Sequence, residues 1–125
     1  MFNIKDLLFV SDLPPTYSPV AMVCFSTTSP EARQQITYLS TKSFPANIIF
    51  ATLDSVSQIT QIANSHPNQY FATDKDQKLR AFLERNVPKL QASSFTFILV
   101  NNKVVWKGSV ETDDFAYWID RVSTM

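Results

Sequence analysis

One cysteine, one glycine and one histidine stand in a chain of 125 residues. The single thiol, Cys24, has no partner for an internal disulfide. With Gly108 as the only glycine, no glycine-rich loop can wrap backbone N–H groups around a phosphate. His66 and Cys24 together fall short of an ordinary metal ligand set, so no metal and no cofactor are expected. An excess of either charge is also missing, because eleven basic residues face eleven acidic ones. Counterion release therefore contributes little, and nucleic acid and anionic membrane surfaces are poor partners. No apolar run approaches the roughly 18 residues that span a bilayer. The opening MFNIKDLLFV has no basic n-region and no long apolar h-region, which predicts an intracellular, cytoplasmic chain without a signal peptide.

What is present reads as a packed globule. A hydrophobic content of 45% argues against disorder, and the length suits one domain over residues 1–125. Pro14, Pro15 and Pro19 cannot lie inside a helix, since proline lacks the donor and clashes with the preceding turn. They set an N-terminal extension, 1–19, apart from a core over 20–122. The core opens with a continuous apolar run, Val20 to Ser26, that suits a strand covered on both faces.

Helix starts are legible after that strand. Ser29 is a good N-cap, Pro30 suits the first helical position, and Glu31 suits the positive end of the helix. Ala32, Ile36 and Leu39 then share one face. A second strand is expected over Asn47 to Leu53, and Ser55 with Gln58 has the pattern of a capping box before the stripe Val56, Ile59, Ile62 and Ala63. QYFAT reads as a short extended piece. Asp74 and Gln77 repeat the capping pattern for a third helix carrying Leu79, Phe82 and Leu83, with Pro88 expected to stop it. Two strands, SFTFILV and KVVWKG, are joined by Asn101 and Asn102, which tolerate positive φ and suit a tight hairpin. A last helix places Phe115, Trp118, Ile119 and Val122 on one face behind Glu111, Asp113 and Asp114. Strands joined through a helix run parallel and the hairpin strands antiparallel, so the expected architecture is α/β: a mixed central sheet with helices on both faces, in three layers.

This order resembles the thioredoxin-like superfamily, most closely its thioredoxin and redoxin branch. FILVNNKVVWKG is similar to the hairpin before that family's last helix, and NIIFATLDS to the strand and loop after its first catalytic-site helix. FATDKDQKLRAFLERNV resembles the stretch leading to the hairpin, and the likeness runs from about Ser18 to Val122. The family carries a reactive Cys-x-x-Cys where this chain reads TTSPEAR. One register puts Ser29 and Ala32 at the sulfur positions, the other Thr28 and Glu31, and neither supplies a thiol. The family's proline, usually cis, before the next strand corresponds to Ser94 or Phe95 here. A cis bond without proline costs about 3 kcal/mol. Loss of both hallmarks implies loss of thiol–disulfide exchange, which needs a thiolate to attack a disulfide sulfur.

The remaining nucleophiles carry no such chemistry in the sequence. Cys24 lies inside an apolar strand, short of the loop where a thiol would be exposed and activated, and reads as a core side chain. Ser29 would need a base, and His66 falls in a turn after the second helix, where it reads as a solvated loop residue. Trp106 and Trp118 read as core or half-buried. The acidic residues at helix starts read as caps rather than as acid–base pairs. The expected function is a redox-inactive protein-binding or scaffolding module. Its partner would dock on the emptied loop, Thr27, Thr28, Ser29, Pro30 and Glu31, together with Ser94 and with Phe95 exposed on the rim, or on a helix face. The alternatives are a divergent oxidoreductase using Cys24 and a structural subunit of a larger or homo-oligomeric assembly.

Overall fold

The apolar run at Val20 forms a strand buried along its whole length, and the rest of the sheet is built outward from it. The computed structural model describes residues 2–15, 19–86, 94–108 and 113–122. Its strands are β1 (Leu8–Phe9), β2 (Val20–Phe25), β3 (Asn47–Thr52), β4 (Tyr70–Thr73), β5 (Ser94–Val100) and β6 (Lys103–Gly108). Its helices are α1 (Pro30–Ser40), α2 (Val56–Ser65), α3 (Lys78–Asn86) and α4 (Asp113–Val122), preceded by a 3₁₀ turn at Ile4–Asp6. One six-stranded sheet has the order β1-β4-β3-β2-β5-β6. β2, β3 and β4 run parallel, while β5 lies antiparallel to β2 and β6 antiparallel to β5.

Alternating side chains feed two cores. Ala21, Val23, Phe50 and Ile98 face α1, α2 and α4 on one side of the sheet. Met22, Cys24, Ile49, Phe97 and Leu99 face α3 and the N-terminal turn on the other. The expected three layers are therefore present, with three helices on one face and one helix on the other among the described residues.

Local signals account for several boundaries. The Ser29 side chain accepts from the Ala32 N–H and Pro30 occupies the first turn, as the sequence predicts. Ser55 and Gln58 form the reciprocal capping box. Asn101 and Asn102 take φ of 52° and 66°, the left-handed pair that a tight hairpin between β5 and β6 requires. One residue of β6, Val105, is left over between the pairs Ile98–Trp106 and Leu99–Val104. This bulge adds twist to the outer strand.

One expectation needs correction, and two segments gain definition. The third helix does not start from a cap at Asp74 with Gln77 as its third residue. Asp76 and Gln77 have φ of 55° and 59°, outside the helical region, and the helix begins at Lys78. Asp74 still serves it, accepting from the Leu79 N–H at 2.9 Å, five residues on rather than three. The extended piece at QYFAT is an internal strand, β4, paired with β3. The chain before Val20, which the sequence left without an assigned element, supplies the edge strand β1, paired with β4 through Leu8–Thr73 and Phe9–Ala72. Phe2, Ile4 and Leu7 are buried with it, and the Phe2 ring sits 4.9 Å from Phe82. Pro88 and Glu111, expected at helix ends, lie outside the described residues.

Candidate functional site

β2 ends at Phe25, and its carboxyl end leads into a four-residue turn, Ser26 to Ser29, closed by the Ser29 N–H donating to the Ser26 carbonyl at 3.1 Å. Phe25 stands opposite Ser94 in the register of β2 with β5. The turn and the start of β5 therefore meet at one end of the sheet, which brings the sequence-predicted residues together. They do not share one environment. Thr28, Pro30 and Glu31 are exposed and Ser29 is half-buried, whereas Thr27 is only 3% exposed. Ser26 and Thr28 hydroxyls lie 2.9 Å apart, and the Ser29 hydroxyl donates to Glu31 Oε2 at 3.1 Å.

Phe95 is half-buried rather than exposed on the rim. It stands opposite Cys24 on the α3 face, with its ring 5.3 Å from Phe97. The apolar environment that swallowed Cys24 takes Phe95 as well, which removes it from an exposed docking face.

The residue that organises this end of the molecule is Asp54, in the turn after β3. Its Oδ2 accepts from the Thr27 N–H at 2.8 Å, from the Thr27 hydroxyl at 2.7 Å and from the Thr52 hydroxyl at 3.2 Å. The Thr73 hydroxyl donates to the carbonyls of Thr52 and Asp54, and Arg33 Nε donates to the Thr27 carbonyl at 3.1 Å. Three threonines thus tie the carboxyl ends of β2, β3 and β4 into one polar network. Partial burial pushes the Asp54 carboxyl up, but the hydrogen bonds from Thr27 and Thr52 outweigh it and hold the group below the usual carboxylate value. Asp54 is not the helix cap that the sequence reading made of it, because Ser55 fills that role. The partner 27 residues away carries no signal in the local sequence.

Among the described residues no activated nucleophile appears at this end. Cys24 is 6% exposed and points into the α3-side core, and burial pushes its thiol far above the ordinary cysteine value. A thiol held protonated is neither a nucleophile nor a ready metal ligand. Ser29 is engaged as an N-cap. His66 caps the carboxyl end of α2, just before β4, whereas Ser29 follows β2. Because β2 and β4 run parallel, the two lie at opposite ends of the sheet, and His66 cannot serve as base for Ser29. Its ring lies 6.3 Å from Phe71, half-buried rather than fully solvated. Trp106 and Trp118 are half-buried against the α4-side core, as expected. Among the described residues no group of three or more His, Cys, Asp or Glu side chains is placed to hold a metal ion. No described helix is long and apolar enough to cross a membrane.

The sheet order, the helices on both faces and the turn after β2 define a thioredoxin-like fold, and solved structures agree. A thio-disulfide isomerase from Thermus thermophilus superposes with a TM-score of 0.65 over 90% of this chain and 85% of its own, at 13% identity. A thioredoxin-related protein from Neisseria meningitidis serogroup B gives 0.65 over 94% of this chain and 98% of its own, at 10% identity. At these identities the likeness is one of fold. No family model and no curated protein matches the sequence. The chain has the scaffold of such proteins with a single cysteine and no Cys-x-x-Cys.

Proposed function

We propose that this chain is a redox-inactive thioredoxin-fold module that binds a protein partner through the exposed part of the turn after β2, Thr28, Pro30 and Glu31. The observation that supports this reading is the oxygen network beneath the turn. Thr27 is clamped to Asp54 from below, so the exposed residues above it are presented on a fixed backbone. A fixed surface loses less conformational entropy on binding than a loose one. The reading treats residues 1–125 as a single domain in an intracellular setting. The oxidoreductase alternative is disfavoured by the same geometry, because the only thiol is sealed in the core below Phe95.

The test is affinity capture from the native source with the wild type and with a Thr28→Arg, Glu31→Lys double variant, each checked for an unchanged thermal unfolding profile. The reading expects one specific protein retained by the wild type and lost by the variant. The same set of retained proteins with both would remove the turn from the binding surface.

A further inference from the structure

A recess on the far side of Asp54 lies outside the surface discussed above. β3 and β4 are parallel neighbours, yet the helices that follow them leave on opposite faces: Ile59 and Ile62 of α2 pack into one core, Leu79 and Phe82 of α3 into the other. Adjacent strands whose connections diverge open a crevice at their carboxyl ends, and open α/β sheets bind ligands in such crevices. An open cleft of about 460 Å³ lies there, between the turns Leu53 to Ser55 and Asp74 to Gln77. That volume falls within the range of small-molecule sites.

The chemistry of the walls selects the ligand. Among the described residues, Asp54, Asp74 and Asp76 line the cleft with Arg80 as the one cation, three negative charges against one positive. Lys78, in the same turn, is drawn away to Asp6 at 3.6 Å. Asp54 uses Oδ2 for Thr27 and Thr52, and Asp74 uses Oδ1 for the Leu79 N–H. Among the described residues the second oxygen of each makes no hydrogen bond, so both carboxylates keep acceptor capacity. The carboxylates are not grouped tightly enough to hold a metal ion. Leu53 and Val56, the latter 45% exposed, add an apolar wall. An organic cation on an apolar stem matches both surfaces, with charge-assisted hydrogen bonds at its head and contact along its chain.

We infer that the cleft between the carboxyl ends of β3 and β4 binds an alkyl-guanidinium or alkyl-ammonium group, carried by a free small molecule or by a basic side chain of a peptide. This site stands apart from the docking role of the turn after β2 and does not require it. The experiment is an amide NMR titration of the full chain with agmatine, in parallel with a blocked Ala-Arg-Ala peptide, and with valerate as the anionic control. The expected result is saturating shifts confined to the amides of residues 53–56 and 73–80. Binding should be about fivefold weaker in an Asp74→Asn, Asp76→Asn double variant, the loss of exposed ion pairs. Asparagine preserves the Asp74 acceptor, so the fold should persist and the rest of the spectrum should match. Shifts with agmatine identify a site for small molecules, and shifts with the peptide alone identify a peptide side chain as the ligand. Confined shifts with neither, equal shifts with valerate, or unchanged affinity in the variant would overturn the inference.

Discussion

Asp54 joins the turn after β2 to the strand beside it, and its removal would leave the Thr27 N–H and hydroxyl without a partner in a buried position. Asp54→Ala should lower stability by about 2–3 kcal/mol, read from the urea midpoint. The depressed carboxyl also fixes the sign of a pH effect. Its contribution is full above the unfolded-chain value of about 3.9 and is lost as pH falls through the lower folded value. Asp54→Asn should flatten that part of the acid limb, and an acid limb identical to the wild type would contradict the network. Cys24 acts at the other extreme, since its folded thiol is raised by burial. Its contribution is full below the unfolded value of about 8.5 and falls as pH rises past it, by about 2 kcal/mol near pH 10. Cys24→Ala should remove this alkaline slope in denaturation curves, whatever constant cost the missing sulfur adds.

Elements were legible wherever the code is local. Ser29-Pro30-Glu31 specifies a helix start within three residues, and Asn101-Asn102 specifies a turn within two, so both were readable. Asp74 and Gln77 misled because their spacing matches a capping box while the chain spends Asp76 and Gln77 on a left-handed turn. That turn places non-glycine residues where a Cβ is disfavoured. Gln77→Gly should therefore raise stability by about 1 kcal/mol, seen as a higher urea midpoint. A lower midpoint would show that the Gln77 side chain does more for the turn than its backbone strain costs. β1 was not readable, because two residues show no periodicity and its pairing depends on Thr73 and Ala72, more than 60 residues along the chain. The Asp54 network escaped for the same reason of distance, and Phe95 was placed on the rim because strand alternation alone does not tell which core a side chain enters.

At the scale of the whole molecule, the thioredoxin-like order of strands was legible and the role of the first ten residues was not. Phe2, Ile4 and Leu7 complete the α3-side core, β1 closes one edge of the sheet, and Ile4 N–H donates to Asn102 Oδ1 at 3.2 Å across the hairpin. Burying three such side chains contributes about 5–8 kcal/mol, comparable to the total stability of a domain. A chain beginning at Ser11 should lose cooperative thermal unfolding, and a melt like that of the full chain would make the segment an appendage. The other end of the hairpin is equally constrained. A Cβ on Gly108 would come within 2.8 Å of the Trp106 ring, so the strand end can carry only glycine unless the indole moves.

A thioredoxin-like scaffold is closed by an Asp54–threonine network at the carboxyl ends of β2 to β4, while its one thiol is sealed inside. The most direct measurement is the reaction of the chain with Ellman's reagent at neutral pH, folded and then in denaturant. The folded chain should release no thionitrobenzoate and the unfolded chain one equivalent. One equivalent released rapidly from the folded chain would mean that Cys24 is open and ionisable, and the account would be wrong.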